Sequence, residues 1–146
     1  MNIEINPEIK KQINQPQLFE KINQIIHHLE IGNHDLTIII EDDDFIKNLN
    51  NQYRGINTPT DVLAFSANEM LLDDGVNYLG DIVISYSTAI KQAEEYGHTV
   101  LTEILTLCTH GLLHLLGFDH STISDKKDMF KKQKKLLELV GIICHE

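Results

Sequence analysis

Tryptophan is absent from this chain and aromatics make up only 6% of it, so a surface that stacks planar ligands has few residues to draw on. The two cysteines, Cys108 and Cys144, show neither metal nor redox spacing and cannot form a disulfide framework. No apolar run reaches the ~20 residues of a membrane span. The opening Met1-Asn2-Ile3-Glu4-Ile5 has no basic stretch followed by an apolar one, so nothing resembles a signal peptide. Cytoplasmic residence without membrane contact is expected. There is no internal repeat, low-complexity tract or linker, and 146 residues suit one domain, 1–146, that buries about two-thirds of its unfolded surface. Arginine is nearly missing: Arg54 stands alone.

Basic charge is also scarce, but unevenly so. The net charge is −10, a poor match for nucleic acid taken as an average. Residues 1–125 hold nineteen acids against six bases, whereas residues 126–146 hold six bases against three acids. The lysines crowd into Asp125–Lys135, and on a helix Lys127, Lys131 and Lys134 share a stripe, with Met129, Leu136 and Val140 on another face. Such a stripe is either an ordinary solvated face or a local phosphate-contacting patch whose binding would depend on salt.

What the chain has is His110-Gly111-Leu112-Leu113-His114-Leu115-Leu116-Gly117-Phe118-Asp119-His120. Residues 99–116 read as one helix, apolar on nearly every side and therefore buried. His110 and His114 lie one turn apart on one face. Gly117 can adopt a left-handed backbone, end the helix and let the chain double back, so that His120 completes a set of three nitrogens. Three imidazoles with a fourth position left for water are the ligands of a catalytic zinc; they also accept nickel. The spacing matches zinc proteases with HExxHxxGxxH, but the position of their general base is here Gly111. The metal ligands are kept and the protease base is absent, which points to hydrolysis of another substrate.

Strands are expected over Asn2–Ile5, Leu36–Ile40, Val62–Phe65 and Ile82–Ile84, and helices over residues 17–30, after Asp43 or Asp44 (inner face Phe45, Leu49, Tyr53), and after Ser85 or Ser87 (inner face Ala89, Ala93, Tyr96). Thr99 caps the central helix, and Ser124 the lysine helix with Asp125 and Asp128 in its first turn. A polar loop spans 66–78. The order predicts an α/β (α+β) fold: a small four-stranded mixed sheet with about five helices, the buried central helix carrying the metal site. The two early crossovers should give parallel neighbours, and the later strands an antiparallel edge.

The run His110-Gly111 through Asp119-His120 resembles the HGxLHLxGxDH signature of the YbeY family of bacterial metal-dependent endoribonucleases. Leu49-Asn50-Asn51-Gln52-Tyr53-Arg54 with Pro59–Phe65, and Leu79-Gly80-Asp81-Ile82-Val83-Ile84-Ser85, agree with the same family in the same order. Two departures stand out: Ala64-Phe65-Ser66 where the family commonly has Ser and then Phe-Pro, and Met129-Phe130-Lys131-Lys132-Gln133 where it commonly has Met-x-x-x-Glu. The resemblance implies a single-strand-specific RNA hydrolase acting in 3′-end maturation of 16S ribosomal RNA and in ribosome quality control. It further implies one Zn2+ held by His110, His114 and His120, and an active-site arginine at Arg54.

Chemistry suits those roles. Neutral imidazoles leave the full dication charge to meet an anionic phosphodiester, and the planar fork of Arg54 can clamp its non-bridging oxygens. Asp119 either orients a ligand ring or simply forms the turn beside Gly117. Glu103, seven residues before His110, faces the same side of the helix and could support a ligand from behind. Cys108 is a small core residue. Phe118, Tyr53 and Tyr78 are the aromatics considered for stacking. The acidic bulk of the chain implies modest affinity for bare RNA, with a ribosome or ribosomal protein supplying position. A metalloprotease-like hydrolase and a non-catalytic zinc-bearing ribosome assembly factor are the alternatives.

Overall fold

The computed structural model describes residues 1–32, 34–67, 69 and 77–143. Its elements, in chain order, are β1 (Asn2–Ile5), α1 (Pro7–Lys10), α2 (Gln15–Leu29), β2 (Asp35–Glu41), α3 (Asp43–Arg54), β3 (Val62–Ser66), β4 (Tyr78–Ser85), α4 (Tyr86–Tyr96), α5 (Val100–Leu115) and α6 (Ile123–Leu139). Among the described residues this is an α/β fold with a four-stranded mixed sheet and six helices, one more than expected because the short α1 starts at Pro7, capped by Asn6. Much of the expected 66–78 loop, including Asp73-Asp74-Gly75, lies outside the described residues, as does Cys144.

The sheet order is β1-β2-β4-β3. β1 and β2 pair in parallel, as do β2 and β4, while β3 runs antiparallel to β4 at the edge. Only the first crossover therefore gives parallel neighbours; β4 lies between β2 and β3. The reason is in the strands themselves. Ile82, Val83 and Ile84 are all buried and need cover on both faces, which only a central strand receives. β3 alternates intermediate and buried positions, the pattern of a half-covered edge. β4 also begins four residues before Ile82 and ends one after Ile84, and pairs Ile82 with Ile38 of β2 and Ala64 of β3.

Helices cover both faces. Ile38, Ile40, Ile82 and Ile84 pack in one cluster with α2, α5 and α6, and a smaller cluster joins Leu63, Phe65 and Val83 to Ile46 of α3. At the centre lies α5, capped by Thr99, with eleven of its residues buried. Its buried hydroxyls are satisfied internally: Thr106 Oγ1 donates to Thr102 O (2.8 Å) and Thr109 Oγ1 to Leu105 O (2.7 Å). Cys108 is fully buried here, and burial pushes its thiol pKa up.

Several helix phases differ from the sequence reading. α3 is capped by Asp42, whose side chain accepts from Phe45 N, and its inner face is Ile46 and Asn50. Phe45 and Tyr53 are exposed instead. Asn50 takes an inward position because its amide donates to Thr58 O at 2.9 Å. In α4, Ser85 is the cap and Tyr86, Ala89 and Ala93 point inward, while Tyr96, at the helix end and past the edge of the core, is exposed. α6 is capped by Thr122 rather than Ser124, with Asp125 its first-turn acid.

Candidate metal centre

The site is built by the end of α5 and the turn that follows. His110 and His114 leave the same face one turn apart, with their Nε2 atoms 3.2 Å from one another. Then the chain reverses. Phe118 N donates to Leu113 O (2.9 Å) and Gly117 N to His114 O (3.0 Å), the paired bonds of a Schellman turn, and Gly117 holds the φ of +96° that this turn requires. Asp119 accepts from Ser121 N at 2.7 Å, tightening the next bend. His120 thereby comes back over the helix, its ring 5.9 Å from that of His110 and 5.1 Å from that of His114. One ligand atom from each of the three lies within 4.8 Å of the others.

The donor set suits a divalent ion. Tetrahedral bonds of ~2.0–2.1 Å to imidazole nitrogen place two ligand atoms roughly 3.4 Å apart, close to the separation found for His110 and His114. Burial lowers the pKa of His110, against a smaller raising effect of its Gln133 bond. Burial also lowers that of His114, followed by the neighbouring rings of His110 and His120. Both rings therefore present lone pairs, not protons, at neutral pH. Orientation comes from Gln133, a buried residue of α6: its Oε1 accepts from His110 Nδ1 at 3.2 Å, which leaves Nε2 free to ligate. Sequence reasoning missed Gln133. The available signal was a polar residue at the inward spacing of Met129 and Leu136.

A cleft of about 600 Å³ runs past the histidines and is also lined by Arg54, Asp61 and Glu69. Arg54, in the last turn of α3, reaches it with the guanidinium 4.9 Å from the Phe65 ring centroid. Its Nη1 donates to Glu69 Oε1, and its Nη2 to Glu69 Oε2 (3.3 Å) and Ala64 O (3.2 Å). Asp61 is held by Val62 N (2.8 Å) and Gln92 Nε2 (3.2 Å). Neither carboxylate stands out in the sequence, since their lone positions just before and shortly after β3 carry no spacing signal. Gly111 forms part of the floor, and a Cβ there would stand 2.8 Å from Ile82 Cγ2. The helix has no room for a side chain at the position where zinc proteases carry their base.

Other expected residues fall elsewhere. Glu103 is fully buried and pairs with His98 Nε2 at 2.6 Å. Asp119 is exposed and serves the turn; the Ser121 backbone N–H is the main cause of its lowered pKa. Lys127, Lys131 and Lys134 lie on the exposed face of α6, and none lines the cleft. Tyr78 is tied into the sheet by Asp81 and by Thr37 Oγ1 (2.6 Å), with its hydroxyl pushed up to about 12, chiefly by burial and the Asp81 bond. Tyr53 packs on Phe65, and Phe118 is partly exposed on the turn. No described helix is long and apolar enough to cross a membrane.

Comparison with known proteins gives a consistent result. The family model for endoribonuclease YbeY matches residues 3–141. A relative named endoribonuclease YbeY from Desulforamulus reducens is 40% identical over 144 residues, 94% of each chain. Another of that name, from Moorella thermoacetica, is 43% identical over 118 residues, 76% of each. The solution structure of TM1509 from Thermotoga maritima superposes with a TM-score of 0.64 at 36% identity, covering 94% of this chain and 88% of that one.

Proposed function

This chain belongs to the endoribonuclease YbeY family, and on that premise we propose that it is a metal-dependent endoribonuclease that cuts single-stranded RNA with His110, His114 and His120 as metal ligands and Arg54 as the catalytic residue. The observation that carries this reading is the convergence of three imidazoles and the chain's sole arginine in one cleft. Zinc, one per chain, is the ion these ligands suit best, though nickel also suits them. Once bound, it supplies a Lewis acid for a phosphoryl oxygen and lowers the pKa of water to ~7.

The residues of the chain do the remainder. His110, fixed through Nδ1 by Gln133, would hold the ion together with His114 and His120. Arg54 offers its fork to the scissile phosphate, where charge grows in the transition state. That fork is engaged by Glu69, so a phosphate must displace the carboxylate. Gly111 forms part of the floor, and the lack of space for a Cβ between it and Ile82 argues against the metalloprotease alternative. Asp119 shapes the turn that delivers His120.

The substrate we propose is precursor 16S ribosomal RNA, with cleavage maturing its 3′ end in the cytoplasm and serving ribosome quality control. One arginine flanked by Asp61 and Glu69 supplies little net attraction for RNA. The lysine face of α6 adds phosphate contacts through Lys127, Lys131 and Lys134, and a ribosomal partner supplies the rest of the positioning. The test compares variants on single-stranded RNA with metal content measured in parallel. Arg54→Ala is expected to keep its metal and lose cleavage by at least a hundredfold, whereas His114→Ala loses both. Equal cleavage by parent and both variants sinks the enzyme reading and leaves a zinc-bearing assembly factor.

A further inference from the structure

We infer that a second, smaller cavity behind the histidines is a subsite for one pyrimidine base of the RNA, beside the phosphate that is cut; this rests on the ribonuclease reading above. The cavity has a volume of about 170 Å³ and opens between α4, α5 and α6. It shares Asp61 and His110 with the main cleft, so an occupant borders one of the proposed metal ligands.

Its wall is suited to a flat heterocycle. Tyr96 of α4 and Phe130 of α6 both line it, and they are 42% and 47% exposed. In a chain with five phenylalanines, four tyrosines and no tryptophan, two exposed rings on one small cavity is a concentrated stacking surface, and stacking on aromatics is how unpaired RNA bases are held. The amides of Gln92 and Gln133 also line it. Gln92 donates to Asp61 through Nε2, and Gln133 accepts from His110 through Oε1. Neither bond uses the Gln92 carbonyl or the Gln133 amino group, which leaves one acceptor and one donor for a base edge. Lys126 Nζ stands over the Phe130 ring, 5.9 Å from its centroid, so a positive charge lies beside the cavity.

Size favours the smaller base. A cavity of about 150 Å³ takes one benzene ring, so a single six-membered ring fills this one, whereas the fused pair of a purine extends beyond its mouth and leaves part of its surface in water.

The test uses the metal-loaded protein and short unstructured RNAs that differ only in the nucleotide next to the cut. The expected result is about tenfold faster cleavage beside uridine or cytidine than beside adenosine or guanosine. Phe130→Ala should bring that ratio close to one with unchanged thermal stability, and Phe130→Tyr should restore it. In parallel, the metal-free protein is titrated with uridine 5′-monophosphate or adenosine 5′-monophosphate while the ring signals of Tyr96 and Phe130 are followed by NMR. Uridine monophosphate should shift both rings and adenosine monophosphate should not. Cleavage without base preference, or a preference unchanged in Phe130→Ala, overturns the inference while leaving the nuclease reading intact. If no RNA is cut, the nuclease reading fails, and the nucleotide titration decides the cavity by itself: equal shifts with both nucleotides, or none, overturn the inference.

Discussion

Replacing Gly111 by alanine should destabilise the protein although alanine is the better helix former. At an unencumbered helical position the exchange gains about 0.5–1 kcal/mol. Here the added Cβ meets Ile82 Cγ2 at 2.8 Å and Cγ1 and Cδ1 at 3.2 Å. Ile82 cannot swing aside, because it is fully buried and β-branched, and it sits in the central strand between Ile38 and Ala64. Overpacking costs about 1–3 kcal/mol, and a 2.8 Å approach to a side chain that cannot move belongs in the upper half of that range, so the net loss should be about 1–2.5 kcal/mol, or roughly 3–8 °C in Tm for a chain of this size. The assay is thermal and urea unfolding in the presence of a chelator, so that metal affinity does not enter. A cycle with Ile82→Ala isolates the contact. Ile82→Ala alone should lose about 2–5 kcal/mol, and the double variant should lose less than the two single losses added, by about 1–3 kcal/mol, because the new methyl fills part of the vacated space. A Gly111→Ala protein at least as stable as the parent, or a strictly additive cycle, refutes the reasoning. The same contact explains why the base of zinc proteases has no counterpart on this helix.

Two further outcomes follow from the histidines. Gln133→Met removes the acceptor of His110 Nδ1 and should weaken zinc affinity by about 10–100-fold, while Gln133→Glu, which can still accept, should retain it; competition with a chromogenic chelator measures both, and equal affinities for parent and methionine variant would remove Gln133 from the site. Burial holds His110 and His114 below the ordinary imidazole pKa of 6.5, so the unfolded chain takes up more protons than the folded one in acid. Metal-free stability should therefore be full above about pH 6.5 and fall as the pH drops through the lowered folded values. The urea midpoint should fall more steeply between pH 7 and 5.5 in the parent than in His114→Ala, and equal slopes would contradict this.

How much of this was legible in the sequence depends on the range of the interaction involved. The run His110–His120 carries its own geometry: helical spacing puts two rings together, and a glycine turn returns the third. β4 was seen only as Ile82–Ile84, because Tyr78 and Asp81 belong to the strand through partners in β2 rather than through apolar character. The antiparallel edge placement of β3 follows from which strand needs two covered faces, a comparison between distant segments. Asn50 and Gln133 point inward because each meets a partner eight and 23 residues away, and a reading that ranks apolar residues as inner passes over both. The pairing of Glu103 with His98 is not legible from helical spacing, since His98 precedes the helix and comes back against it. The separation of the lysine stripe from the cleft is likewise a tertiary fact. Charge counting finds the stripe but not its distance from the histidines.

Zinc K-edge X-ray absorption of the metal-loaded protein tests the central claim most directly. The account predicts one zinc per chain with three imidazole nitrogens at ~2.0–2.1 Å, and a His120→Ala variant that retains only two. A shell with fewer than three imidazoles in the parent, or one left unchanged by His120→Ala, would contradict it.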